Sequence, residues 1–262
     1  MKVDGKVVVV TGGAEGIGRA LAQAFHKAGA KLVAVADRNV AGAEATAKAI
    51  GGMAFACDVA READLQRVIA ETEAKAGPIA LFCSNAGIGG FGGDPANSAS
   101  SPNESWQRAW DVNVMAHVYA ARALLPLMIG RGGGYFLNTV SAAGLLNQIG
   151  SAVYGTTKHA AVGFAENLAL THRDQGIKVS ILCPQGVDTS MLRASGSGPQ
   201  FLDGVLTPEQ CAAAALAGIE AETFAILPHP MVAQYMKNKT DNYDRWIAGM
   251  AKLQKSIAAA KT

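Results

Sequence analysis

Three side chains in the stretch 141–158, SAAGLLNQIGSAVYGTTK, have types and a spacing that could do chemistry: Ser141, Tyr154 and Lys158. Tyr154 and Lys158 are four residues apart, which on a helix puts them on one face, one turn from each other. A free tyrosine titrates near pKa ~10 and is a poor base at neutral pH, but a cation within about 4–6 Å favours the phenolate and lowers that value. Tuned in this way, Tyr154 would take a proton from an alcohol or return one to an alkoxide. Ser141, thirteen residues upstream at the end of the apolar run YFLNTVS, would hold the same substrate oxygen. The layout suits moving a hydride between an alcohol carbon and a nicotinamide ring. A Y-x-x-x-K pair also arises on ordinary helix surfaces, so the elements around it must decide.

AVYGTTKHAAVGFAENLAL repeats its apolar residues at three- and four-residue steps and predicts the helix that would carry Tyr154 and Lys158. At the N-terminus, KVVVV is a β-branched run suited to a strand buried on both faces of a parallel sheet. It feeds TGGAEGIG at 11–18 and then the helical RALAQAFHKAGA. Strand, glycine turn and helix in that order form a phosphate cradle, where backbone N–H groups and the helix N-terminus meet a pyrophosphate. The second strand, KLVAVAD, ends in Asp37, placed to accept hydrogen bonds from the adenosine ribose and to repel a 2′-phosphate. Glu15 makes the turn acidic as well, while Arg38 could receive a phosphate, so the expectation is NAD in preference to NADP. Asp58 and Val59 end the strand MAFACDV where adenine would lie, and Asp58 could equally cap the next helix.

IALFCSNAG delivers Asn85, Ala86 and Gly87, small enough to let backbone approach a ribose. The Gly-, Ser- and Pro-rich segment after it reads as a long loop, either a border of the site or a surface insertion. A helix over roughly 103–129 carries Asn113. KVSILCP ends at Pro184, and 186–206, with Met191, Leu192, Phe201, Leu202 and an SGSG stretch, suits a lid or a plain loop. T-P-E-Q at 207–210 is a capping box with Pro at the first helical position. Beyond FAILP, an extension from about 228 to 262 carries Met231, Tyr235, Tyr243, Trp246 and Met250 near helical spacing, as packing residues on a neighbouring subunit or across the pocket.

Composition bounds the rest. Half of the 262 residues are hydrophobic, ample for one large α/β domain, and 23 basic against 21 acidic residues leave a net charge of +2. There is no basic block to argue for nucleic acid. Cys57, Cys83, Cys183 and Cys211 lie far apart and predict reduced thiols, with no disulfide framework or metal site. VNVMAHVYAARALLPLMIG is interrupted by His117, Arg122 and Pro126 and reads as a core or interface helix rather than a membrane span. A cytoplasmic protein is the expectation.

Taken together, these motifs resemble the classical short-chain dehydrogenases/reductases over nearly the whole chain. TGGAEGIG is similar to the family's T-G-x-x-x-G-x-G turn, with Gly12, Gly16 and Gly18 at its glycines and Ile17 between them. Asn85-Ala86-Gly87 resembles N-A-G, and Pro184 to Thr189 resembles P-G-x-V-x-T, with Gln185 in place of glycine. Asn113, Ser141, Tyr154 and Lys158 match the catalytic tetrad. The resemblance implies a Rossmann-like, doubly wound, seven-stranded parallel sheet with helices on both faces, in a single domain. It implies Tyr154 as general acid/base, Lys158 as its tuner and a holder of the nicotinamide ribose, Ser141 as the substrate-oxygen contact, and Asn113 as holder of a relay water. It further implies Val187 and Thr189 at the carboxamide, Asp58 and Val59 at the adenine, and a dimer or tetramer built on the two helices that carry Asn113 and Tyr154.

The leading expectation is an NAD-dependent alcohol dehydrogenase or carbonyl reductase for a medium-sized, apolar secondary alcohol or ketone. Dehydratase or epimerase chemistry on the same fold, and a non-enzymatic NAD-binding scaffold, are the alternatives. The pocket is expected from 88–94, 142–149 and 186–206, with Leu145, Leu146, Ile149, Met191, Leu192 and Phe201 making it apolar and Arg193 as a lone cation.

Overall fold

The computed structural model describes residues 1–195 and 198–259; the centre of the predicted SGSG stretch and the last three residues of the predicted extension lie outside the described residues. Seven strands form one parallel sheet in the order β3-β2-β1-β4-β5-β6-β7. They are β1 (Val7–Thr11), β2 (Leu32–Asp37), β3 (Met53–Ala56), β4 (Ile79–Ser84), β5 (Gly134–Thr139), β6 (Ile177–Leu182) and a two-residue β7 (Ala225–Ile226). β1 is buried along its whole length, as a β-branched run covered on both faces must be.

One face of the sheet is covered by α1 (Gly16–Lys27), α2 (Val40–Ile50) and α9 (Pro208–Ala221), which bury Leu21 and Phe25, Ala43 and Ile50, and Cys211 and Ile219. The other is covered by α3 (Glu62–Ala76), α5 (Ala116–Gly130) and α7 (Ala152–His172), with Leu65, Leu124 and Leu168 among their inward residues. The expected doubly wound sheet is therefore the observed one. All four cysteines are buried free thiols. The capping box is formed: the Thr207 hydroxyl accepts from the Gln210 amide and the Gln210 side chain from the Thr207 amide.

The strand order reverses between β1 and β4, so the loops leaving their C-terminal ends diverge and open a crevice. The predicted helix at 103–129 runs without a break from 103 to 130, but as three pieces: α4 (Asn103–Trp110), a π-helical turn (Asp111–Met115) and α5. By length and composition this helix could cross a bilayer; here half of its most apolar window is buried in the protein. After β5 comes the short α6 (Ala143–Leu146), and after β6 the short α8 (Ser190–Ala194). The C-terminal extension forms α10 (Met231–Asp241) and α11 (Tyr243–Ala259). Tyr235, Met236 and Trp246 pack with Val232 against Ala142 and Leu146 of the same chain, while Tyr243 and Met231 stay exposed.

Candidate active site

The four tetrad residues come from three elements, the loop after β5, the π-helical turn and α7, and meet at the C-terminal edge of the sheet. Ser141 lies two residues past β5, at a φ of 142°, a strained value for a residue with a side chain. Its hydroxyl accepts from the Ala143 amide at 3.1 Å and donates to the Pro184 carbonyl at 3.4 Å. Tyr154 and Lys158 stand one turn apart on α7, as expected. Lys158 is 3% exposed and donates to the Thr139 carbonyl at 3.2 Å. Asn113 sits in the π-helical turn, fully buried. Its Oδ1 accepts from the Ile88 amide at 2.9 Å, and its Nδ2 donates to the Ile88 carbonyl at 3.1 Å and to Thr157 Oγ1 at 3.2 Å. A Cβ on Gly87 would stand 3.3 Å from Lys158 Nζ and 3.4 Å from Asn113 Oδ1, so glycine here lets β4's exit, the lysine and the asparagine converge.

Burial dominates the electrostatics of the Tyr154–Lys158 pair. Lys158 Nζ lies over the Tyr154 ring, 5.6 Å from its centroid, and its hydrogen bond goes to Thr139. The phenol is held above its ordinary value, chiefly by burial, with the Ser141 hydroxyl pulling the other way. Burial also brings the Lys158 ammonium down to about 8. Desolvation thus outweighs the Ser141 hydrogen bond at the phenol.

The cofactor edge is built as the strand–turn–helix order predicts. Gly12 takes a φ of 67°, and a Cβ there would stand 2.8 Å from Ala86 Cα; a Cβ on Gly18 would stand 2.0 Å from the Gly12 carbonyl oxygen. α1 begins after Glu15 without a side-chain cap, so its first amides are available to a phosphate. Asp37 accepts from the Ala14 amide at 3.0 Å and the Asn39 amide at 2.9 Å, at the C-terminal end of β2. Arg38 is exposed. These features fit a dinucleotide, with pyrophosphate at α1 and a ribose at Asp37.

Other expected contacts are placed differently. Asn85 braces the fold: its amide nitrogen donates to the Thr11 carbonyl at 3.0 Å and its carbonyl accepts from Thr139 Oγ1 at 3.0 Å. Thr11, the first residue of the glycine turn, accepts with its hydroxyl from the amides of Asn85 and Ala86. Asp58 does not cap α3, whose N-cap is Arg61; it accepts from the Ala60 amide in a local turn. Val59 and Val187 are buried in the two core clusters, so only their backbone is left for a ligand. Ile17 packs partly against the core, and Thr189 caps α8. Glu15 accepts from the Ser190 hydroxyl, joining the glycine turn to α8.

The substrate side is less apolar than expected. Leu146 is buried beneath α10, with Leu145 packed beside it, because the extension covers them. Arg193 is paired with Asp188. Met191 does face the site, 3.7 Å from where a Cβ on Gly89 would stand. Gln148 donates to Gln200 at 3.3 Å across the cleft. Gln185 adopts no positive φ, and its amide donates to His229 Nδ1 at 3.2 Å. His229 lies in the extension, far from every motif, so no local pattern marks it.

A sequence profile of the short chain dehydrogenase family matches residues 6–200. Epidermal retinol dehydrogenase 2 of Homo sapiens is 32% identical over 216 residues, which cover 79% of this chain and 68% of that protein. A solved short chain dehydrogenase/reductase from Burkholderia phymatum in complex with NAD superposes with a TM-score of 0.81 at 26% identity, over 93% of this chain and 96% of that one. The 3-ketoacyl-(acyl-carrier-protein) reductase from Brucella melitensis, complexed with NADH, gives 0.77 at 30% identity over 86% and 96%. With the profile spanning most of the chain, and the glycine turn and tetrad set on the same sheet edge, the chain belongs to the short-chain dehydrogenase/reductase family.

Proposed function

We propose that this protein is an NAD-dependent oxidoreductase that interconverts a medium-sized secondary alcohol and its ketone. The observation that carries the reading is the meeting of Ser141, Tyr154, Lys158 and Asn113 beside the uncapped N-terminus of α1. When bound, the nicotinamide supplies or takes the hydride. Tyr154 gives its phenol proton to the forming alkoxide in reduction and takes the hydroxyl proton in oxidation. Ser141 contacts the substrate oxygen with a hydroxyl that the Pro184 carbonyl orients. Lys158 holds the ribose with its ammonium, and Asn113 fixes the backbone of Ile88 at the mouth of the site. Changing Tyr154 to Phe should lower turnover by about a thousandfold while leaving NAD affinity intact. Turnover within a few-fold of wild type would sink the mechanism.

The Asp37 carboxylate, held by the Ala14 and Asn39 amides at the end of β2, would repel a 2′-phosphate. The reading therefore includes a preference for NAD over NADP. In Asp37→Ser the ratio of kcat/KM values for the two cofactors should shift toward NADP by roughly tenfold or more, about 1.4 kcal/mol. An unchanged ratio would show that Asp37 does not set the preference.

The same reading includes a homo-oligomer. α5 and α7 leave a groove lined by Val118, Leu125, Phe164 and Leu168 together with Arg122, Asn167 and His172, and the same helices expose Leu127 and Leu170. A groove of mixed lining beside exposed leucines on neighbouring helices suits a second copy.

A further inference from the structure

The peptide unit between Pro184 and Gln185 is gripped at both ends. Its carbonyl accepts from the Ala142 amide at 2.8 Å and from the Ser141 hydroxyl at 3.4 Å. Its N–H donates to Nδ1 of His229 at 3.2 Å. His229 comes from the turn before α10 and is 3% exposed. Because Nδ1 accepts an amide hydrogen, the neutral ring carries its proton on Nε2, which is buried without a hydrogen-bond partner. The charged group facing the ring is Asp203, from the segment after α8; its Oδ1 accepts from the Tyr235 hydroxyl of α10 at 3.0 Å, and its Oδ2 is buried without a hydrogen-bond partner. The backbone of Gly186 and Gly204 also lies against the ring. One peptide plane thus links a histidine of the C-terminal extension to Ser141.

Building on the alcohol–ketone reading above, we propose that His229 is a positioning residue for Ser141: by accepting the Gln185 amide hydrogen it fixes the Pro184–Gln185 peptide, whose carbonyl orients the Ser141 hydroxyl. The glycine of the resembled motif would leave this peptide freer to rotate, whereas Gln185 is held from outside the motif. Protonation of Nδ1 removes the acceptor, so acid releases the peptide. Burial keeps the ring neutral to a lower pH than an ordinary histidine.

The test compares full-length wild type with His229→Ala, which has no acceptor, and His229→Asn, whose Oδ1 stands near the place of Nδ1. Two quantities are read: hydrogen exchange at the Gln185 amide by NMR, and kcat and KM with NAD and the best secondary alcohol of a panel. In the Ala variant Gln185 exchange should rise about tenfold or more and kcat should fall about tenfold, with KM for NAD unchanged. The Asn variant should restore both to within about threefold and lose the acid-side rise in Gln185 exchange. Equal loss in Ala and Asn would reduce His229 to a packing residue and overturn the inference. Unchanged Gln185 exchange in Ala, or altered exchange with unaltered kcat in active enzyme, would overturn it as well. A wild type that turns over no alcohol would retire the functional reading, and the exchange measurement would still decide the peptide lock.

Discussion

His117 is a residue whose environment has consequences beyond the site. It lies on α5 one turn from Asn113, is 2% exposed, and neither ring nitrogen has a hydrogen-bond partner. Burial first, and Lys158 second, bring it down to about 3. Its folded value is below its unfolded value, so between about pH 6.5 and 3 the unfolded chain binds the extra proton. Stability should therefore fall as pH drops through that window, by up to about 1.4 kcal/mol per pH unit from this group. In His117→Leu this contribution should vanish, which denaturant titrations of both proteins from pH 7 to 4 would show as a flatter profile. Tyr154 carries the matching argument for catalysis. A phenol above its ordinary value keeps its proton at neutral pH and serves reduction there. Alcohol oxidation should instead climb through the alkaline range, as a pH profile of kcat/KM would show.

Among elements, the glycine turn and the π-helical turn do the positioning. A side chain at Gly18 would place Cβ 2.0 Å from the Gly12 carbonyl, so Gly18→Ala should unseat the turn and cut NAD affinity at least tenfold in calorimetry, about 1.4 kcal/mol or more. The π turn at Asp111–Met115 accommodates an extra residue in a helix whose apolar pattern reads as regular. It places Asn113 where its amide bonds Ile88 on one side and Thr157 of α7 on the other. A periodicity argument finds the helix but not the turn, because one added residue hardly changes a 3.6-residue pattern.

At the scale of the molecule, packing decides which surfaces remain free. The extension from about residue 228 folds back over its own chain: Lys239 of α10 donates to the Leu145 carbonyl at 2.7 Å, and Trp246 packs toward Ala142 and Leu146. It leaves the α5–α7 face open. If that face joins copies, Phe164→Asp should convert the assembly to monomers in sedimentation velocity without changing the circular dichroism of the fold. An unchanged assembly would place the contact elsewhere.

The sequence by itself determined the α/β class, the glycine turn, the Tyr154–Lys158 pairing on one helix face and the capping box at Thr207. Each of these is a local pattern of residue type and spacing, so chain order alone exposes it. Ser141 was read with that pair from its place at the end of a strand, but the approach of Asn113 was legible only through resemblance, since no local rule brings residues from separate elements together. Tertiary structure alone decided that Asn85 is spent on bracing β1 and β5, that Leu146 belongs to the core beneath α10, and that burial holds the Tyr154 phenol above its ordinary value. It also brought His229 against Gln185, 44 residues away. Desolvation and long-range hydrogen bonds depend on what surrounds a group in space, and that is fixed only once the sheet, its helices and the extension have closed on one another.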